Sequence, residues 1–250
     1  MSEQYGEFAY LYDRLMEDVN YPQWIDYIEE IFKRENLTEK EVLELACGTG
    51  NITMPLAKRG YRITASDLSQ DMLTVAHEKS LENHVDVVFV NQNMAEIEFH
   101  RQFPCILCLC DGINYVIEPE DLMDTYQGIY EHLQEGGLFI FDISSYYKLK
   151  YVLGEHTFGE NLDDLVYLWE NSFDEEDEII EMNLTFFTQG KDKGQCYEKF
   201  EETHFQKAYQ ATHLVQMLKA VGFSQISTQE AFTFESVKEQ TERIFFICKK

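Results

Sequence analysis

Positive charge is scarce in this sequence. Only 20 of the 250 residues are Lys or Arg, against 46 Asp and Glu, and the formal net charge is −26 at pH 7. A surface of that sign repels nucleic-acid backbones, which are bound through clustered Lys and Arg. It disfavours anionic membranes on the same ground. Long apolar runs are also missing: no stretch approaches the ~18 residues that suggest a membrane span. The start, Met1-Ser2-Glu3-Gln4, has neither the basic region nor the apolar run of a signal peptide. We therefore expect a cytoplasmic protein with no membrane or nucleic-acid partner. There are no repeats and no low-complexity linker. Of six cysteines, three crowd into Cys105-Ile106-Leu107-Cys108-Leu109-Cys110. No second cysteine pair or histidine cluster follows at zinc spacing. On a strand Cys108 and Cys110 would face one way and Cys105 the other. We expect buried thiols acting as small hydrophobes, and no metal. At 44% hydrophobic residues, 250 residues suit one large α/β domain with an insertion.

One glycine is missing from the most informative stretch, Val42-Leu43-Glu44-Leu45-Ala46-Cys47-Gly48-Thr49-Gly50-Asn51. A short apolar strand runs into two glycines one residue apart. Asn51 is expected to cap the helix that follows. This is the first βα unit of a nucleotide-binding sheet. Side chains at Gly48 or Gly50 would block a ligand from lying against the backbone. A dinucleotide fingerprint would need a third glycine, serving close helix packing beneath a pyrophosphate, but Thr53 stands there. Asp67, about twenty residues on at the end of a second apolar run, can accept hydrogen bonds from ribose hydroxyls. These residues ask for an adenosine-like ligand without pyrophosphate. S-adenosylmethionine meets both conditions.

Glu44-Leu45-Ala46-Cys47-Gly48-Thr49-Gly50-Asn51, with Ser66-Asp67-Leu68-Ser69-Gln70-Asp71-Met72-Leu73 at this spacing, resembles a class I S-adenosylmethionine-dependent methyltransferase. The layout is similar to that of glycine and amino-sugar N-methyltransferases. The resemblance implies a doubly wound, Rossmann-like, seven-stranded and mostly parallel sheet whose last strand is antiparallel. It also implies an N-terminal segment with a Tyr-Asp pair and a following aromatic that closes over the methyl donor.

Element by element, the pattern agrees. Trp24, Ile25, Ile28, Ile31 and Phe32 recur at helical spacing, so residues 22–35 read as an amphipathic helix, with Pro22 in its first turn. Strand 41–46, helix 51–59 and strand 61–66 follow, then a helix 70–81 capped by Ser69. Val85 to Val90 is a β-branched third strand, and Cys105 to Cys110 an entirely apolar, doubly buried fourth. Helix 119–134 is expected to stop at Gly136-Gly137, before a fifth strand over Leu138 to Ile143. The period then changes. Leu165–Phe173, Ile179–Thr188 and Cys196–Lys207 read as an antiparallel meander with turns at Asp174–Glu178 and Gln189–Gly194. The parallel pattern resumes with a helix from Thr212 to Gly222 and two strands, Phe223–Glu230 and Arg243–Cys248. Residues 1–149 and 209–250 thus form a cofactor-binding domain, with 1–36 as a helical cap, and 150–208 form an inserted lid or substrate subdomain.

Ligands in such sheets sit beyond the carboxyl ends of strands, at the switch point between the first and fourth. The resemblance then implies a cofactor-side set of Tyr21, Trp24, Glu44, Ala46, Gly48, Gly50, Asp67, Leu68, Met72, Asn93, Met94 and Cys110. Glu44 is expected to receive the donor's ammonium or to bond backbone amides in the glycine turn. Asn93 either contacts the adenine amino group or stabilises a turn. Tyr12, Tyr21 and Trp24 either cap the ligands or pack. On the substrate side stand Tyr12, Asp111 and Tyr115. Asp111, Asn114 and Tyr115 have no evident structural duty in the sequence. Asp142 serves either the substrate or a loop hydrogen bond. Proton acceptors could include Tyr12, Asp111, Tyr115, His156, His204 and His213. The expected reaction is in-line methyl transfer to a small-molecule acceptor, an amine foremost. An RNA or protein methyltransferase and a non-catalytic adenosyl-binding partner are the alternatives, and oligomeric state stays open.

Overall fold

The computed structural model describes residues 2–189 and 196–250, with side chains from Phe8 onward. Residues 190–194 of the expected turn fall outside them. Two helices open the chain: α1 (Ser2–Leu15) and α2 (Tyr21–Arg34). Asn20 caps α2 by accepting from the Gln23 amide, and Pro22 occupies its first turn. Trp24, Ile25, Ile28, Ile31 and Phe32 are buried, as their spacing requires. The βα units follow: β1 (Glu41–Leu45), α3 (Thr53–Lys58), β2 (Arg62–Asp67), α4 (Gln70–Glu82), β3 (Val87–Asn91), β4 (Phe103–Cys108), α5 (Pro119–His132) and β5 (Leu133–Ser144). After a π-helical turn (Lys148–Leu153) come β6 (Thr157–Asn161), β7 (Leu165–Asp174), β8 (Ile179–Gln189) and β9 (Tyr197–Lys207). The chain closes with α6 (Ala211–Val221), β10 (Gln225–Glu230) and β11 (Arg243–Lys249).

The main sheet has seven strands in the order β10-β11-β5-β4-β1-β2-β3. β1 pairs parallel with both β2 and β4, so the strand order reverses between β1 and β4. β11 runs antiparallel to β5 and β10. β4 is buried along its whole length. Ile106 and Cys108 pack into the core on one face, and Cys105 and Leu107 into the core on the other. The second sheet, β6-β7-β8-β9, is antiparallel throughout. No helix among the described residues is long and apolar enough to cross a membrane.

Four local expectations need correction. Asn51 does not cap α3: the N-cap is Ile52, without a side-chain bond, and Asn51 is drawn into a tertiary network instead. Gly136-Gly137 does not stop α5. Leu133 is already extended, and the glycines lie in β5 where its register against β4 shifts between Phe103 and Cys105. Cys110 lies beyond the end of β4, in a left-handed conformation, so strand alternation does not place it beside Cys108. The meander gains an edge strand, β6. The N-terminal aromatic segment, which carries no clear start signal, folds as α1.

Candidate functional site: the cleft at the strand switch point

The carboxyl ends of β1 and β4 are both backbone-strained. Ala46 has φ +51°, and Cys110 and Asp111 have φ +57° and +55°. Non-glycine residues in this region cost about 1–3 kcal/mol each and cluster at functional sites. The first strained turn leads to Gly48, at φ +54°, where an added Cβ would meet nothing within 4 Å. Open space therefore lies against this backbone. Gly50 is different: a Cβ there would meet Met54 Cε at 2.9 Å and Ala76 Cβ at 3.5 Å. Its glycine serves helix packing, not ligand approach, which corrects half of the sequence argument.

Asp67, at the end of β2, reaches the same turn. One carboxylate oxygen accepts from the Gly48 amide at 2.7 Å and the other from the Ser69 amide at 2.9 Å. A carboxylate has about four acceptor positions, so both oxygens keep capacity for hydroxyl donors. Burial pushes its proton affinity up, against these amide bonds. Glu44 is 2% exposed and accepts from the Thr53 hydroxyl at 2.7 Å. It bonds this hydroxyl of α3, and burial lifts its pKa to about 8. Leu68 is 71% exposed beside Asp67, and Met72 packs against the α1 cluster. Asn93 accepts from the Ala95 amide and so caps a short turn, while Met94 packs onto the core beneath it.

α1 closes over the glycine turn through Asp13, which sequence reasoning singled out only as half of a Tyr-Asp pair. Thr49 Oγ1 and Asn51 Nδ2 donate to one Asp13 oxygen at 2.6 and 2.9 Å. Lys79 of α4 donates to the other at 2.8 Å and to Asn51 Oδ1 at 2.5 Å. Asn51 also donates to the Tyr21 hydroxyl at 3.1 Å. Tyr12, next in line on α1, lies near Tyr21, Cys110, Asp111 and Tyr115. Burial pushes its proton affinity well up, and that of Tyr21 and Tyr115 likewise. Tyr115 nonetheless keeps 46% of its surface accessible. Trp24, by contrast, is 5% exposed and packs against Phe232, Phe245 and the Arg243 guanidinium.

The loop after β4 has structural duties that the sequence did not show. Asp142 is fully buried and accepts from the amides of Cys110 and Asp111 at 2.7 and 3.1 Å. The two left-handed residues aim these amides at its carboxylate, so the loop hydrogen bond is its role here. Arg243 at the start of β11 pairs with Asp142 and, at 2.7 Å, with Asp111. Gln206 of β9 donates to Asp111 at 2.8 Å. Burial pushes Asp111 toward its neutral form, but Arg243, Lys148 and these hydrogen bonds outweigh it and keep the carboxyl below its ordinary range. Asp111 is therefore ionised at neutral pH. Asn114, fully buried, bridges the Ser144 backbone and the Lys207 carbonyl, tying the loop to both sheets. Of the three histidines, His204 alone meets the site, its ring 6.0 Å from that of Tyr115. Burial holds its pKa below the usual value. His156 and His213 are exposed.

Against this geometry, residues 42–137 match the family model described as a methyltransferase domain. A protein named as a methyltransferase in Geobacillus sp. (strain WCH70) is 36% identical over 98% of this chain and 99% of its own length. The chain belongs to the methyltransferase family. The crystal structure of an S-adenosylmethionine-dependent methyltransferase from Clostridium acetobutylicum superposes with a TM-score of 0.88, at 36% identity over 98% of each chain. The methyltransferase uses S-adenosylmethionine. The sugar N-methyltransferase KedS8 from Streptoalloteichus shares the fold, with a TM-score of 0.80 at 15% identity over 96% of this chain and 92% of its own. The open cradle at Gly48 and the spare acceptor positions on Asp67 fit a nucleoside with free ribose hydroxyls.

Proposed function

We propose that the enzyme methylates a small-molecule amine in the cytoplasm, with residues 150–208 as the substrate subdomain on a cofactor-binding core. The single observation that carries this reading is the accessible ring of Tyr115 beyond the carboxyl end of β4, 6.0 Å from the ring of His204. An aromatic face draws a cationic amine, and the enzyme's charge of −26 favours such an acceptor in general. Solved structures of the same fold include proteins described as sugar and amino-pentose N-methyltransferases, which is consistent.

When bound, S-adenosylmethionine supplies a methyl group on a positively charged sulfur, already activated for transfer. The chain's own residues then have positioning work. Asp67 holds the ribose hydroxyls, the backbone at Gly48 gives close approach, and Glu44, bonded to Thr53, ties β1 to α3 beneath the turn. Tyr12, Tyr21 and Tyr115 remain protonated phenols at neutral pH, so they orient by donating hydrogen bonds and take no proton. Asp111, held by Arg243 and Gln206, fixes the loop that carries Tyr115. His204, neutral at the same pH, is the ring beside Tyr115 able to accept a proton. α1 and the inserted sheet cover the cleft and exclude water.

Two measurements test this. Tritiated methyl transfer against separate pools of amines, hydroxy acids and RNA should label the amine pool; label in RNA would overturn it. Asp67→Ala should weaken S-adenosylmethionine binding in calorimetry by about 1–3 kcal/mol, the loss of a buried hydrogen-bond partner. An unchanged dissociation constant removes Asp67 from the site.

A further inference from the structure

In the pairing of β5 with β11, Arg243 opposes Ser144 and Phe245 opposes Asp142, so Arg243 and Asp142 are diagonal neighbours on one face of the sheet. α2 packs on that face. The ring centres of Trp24 and Phe245 lie 5.6 Å apart, and the Arg243 guanidinium carbon stands 5.2 Å from the Trp24 ring centre. At that range an indole face attracts a guanidinium. No other ring stands over Arg243 among the described residues. The same guanidinium pairs with Asp142 and, at 2.7 Å, with Asp111. Asp142 in turn accepts from the Cys110 and Asp111 amides. These are the consecutive left-handed residues after β4, a conformation that persists only where the surroundings impose it. Arg243 and Asp142 impose it here. One turn earlier on α2, the Tyr21 hydroxyl accepts from Asn51 in the network at the glycine turn. Residues three apart share a helix face. One stretch of α2 therefore touches the donor turn through Tyr21 and the acceptor loop through Trp24 and Arg243.

We propose that Trp24 is a positioning residue for methyl transfer: it seats the Arg243 guanidinium, which fixes the loop carrying Tyr115 relative to the donor turn. The role needs this loop to be the acceptor side of the cleft, as proposed above; it does not need the acceptor to be an amine. Trp24 is 5% exposed, so it acts through Arg243 and does not cap the ligands. Arg243 loses rotamer freedom in reaching both acids, and the attraction of the ring offsets that loss. Without the indole face the ion pairs loosen, the strained turn after β4 is held less firmly, and Tyr115 shifts with it. In-line transfer tolerates little of this, since a displacement of about 1 Å can cost about a hundredfold in rate. Donor affinity follows a separate route. Asp67 holds the Gly48 amide at 2.7 Å, through bonds that Trp24 does not enter.

The test compares three variants of the full-length enzyme: Trp24→Leu, Trp24→Phe and Ile28→Ala. Ile28 lies one turn further along α2 and is fully buried, so its truncation loosens the helix without removing a ring from the guanidinium. Amide exchange is read residue by residue with S-adenosylhomocysteine bound. In Trp24→Leu the Cys110 and Asp111 amides should exchange about tenfold faster, the scale of one lost cation–ring contact, while the Gly48 amide keeps its protection. S-adenosylhomocysteine affinity should shift less than about twofold. At saturating donor, tritium transfer to whichever of the amine, hydroxy-acid or RNA pools the wild type labels should fall about tenfold. Trp24→Phe keeps an aromatic face and should restore most of both readouts. Ile28→Ala should lower the melting temperature at least as far as Trp24→Leu and leave both readouts near wild type. Protected Cys110 and Asp111 amides in Trp24→Leu, the same loss of protection in Ile28→Ala, or equal slowing of transfer by both reduces Trp24 to packing. Any of these leaves the amine reading intact, whereas label confined to another pool sinks that reading and leaves the role of Trp24 standing.

Discussion

Gly48 and Gly50 share a positive φ and divide the work of the turn. Gly48→Ala places a methyl in open space, so its damage falls on the ligand. We expect cofactor affinity to drop about tenfold with only the ~1–2 kcal/mol of stability lost to left-handed strain. Gly50→Ala drives a methyl toward Met54 Cε and should mainly lower the melting temperature. Titration calorimetry and thermal melts on both variants check the split; identical profiles would mean that the glycines do one job. At this scale the sequence was legible where partners are close along the chain. Strand, glycine turn and Asp67 lie within about twenty residues, and their roles follow from local geometry. It was illegible where partners are remote. Asp111 and Asn114 look idle in the sequence because Gln206, Lys207 and Arg243 reach them only through the fold. Arg243 itself has no local signal at all.

α1 is an element held from three sides. Asp13 binds the glycine turn and Lys79 of α4, and Phe8, Leu11 and Leu15 pack on the inserted sheet. Arg14 adds an exposed ion pair to Asp164, which fixes direction more than it stabilises. Lys79→Met leaves Asp13 and Asn51 without their cation. Amide exchange along α1 should then quicken by about tenfold while β4 stays protected. Unchanged protection would show that apolar packing alone seats the helix. The same network explains the lost Asn51 cap: a tertiary partner set outcompeted the local one. β6 escaped notice for a different reason. All five of its residues are exposed, so no alternation marks it. Helices and strands with one buried face were readable; elements defined by what they dock against were not.

For the molecule as a whole, the alternation of strands and helices pointed to a doubly wound sheet, the resemblance supplied its seven strands and antiparallel last one, and the order reverses between β1 and β4 as expected. Its pH response follows from the buried carboxyl of Glu44. In the folded chain burial lifts that pKa to about 8, above the ordinary 4.5 of an unfolded glutamate. The folded state therefore binds this proton more tightly. The stability it contributes is complete below about pH 4.5 and is lost as pH rises through about 8. Urea denaturation at about pH 5 and about pH 9 should show wild type losing more stability than Glu44→Gln, by up to a few kcal/mol. Parallel slopes would show that Glu44 is ionised throughout.

The guanidinium that neutralises Asp111 and Asp142 comes from β11, the last strand in the chain order. β11 also lies between β5 and β10, so it must be threaded before that side of the sheet exists. Without β11 the two buried acids lose their guanidinium and Asp111 keeps only the charge of Lys148, an arrangement that disfavours burial. A variant lacking β11 is thus expected to leave both acids without their guanidinium and to bind S-adenosylmethionine more weakly than the whole enzyme.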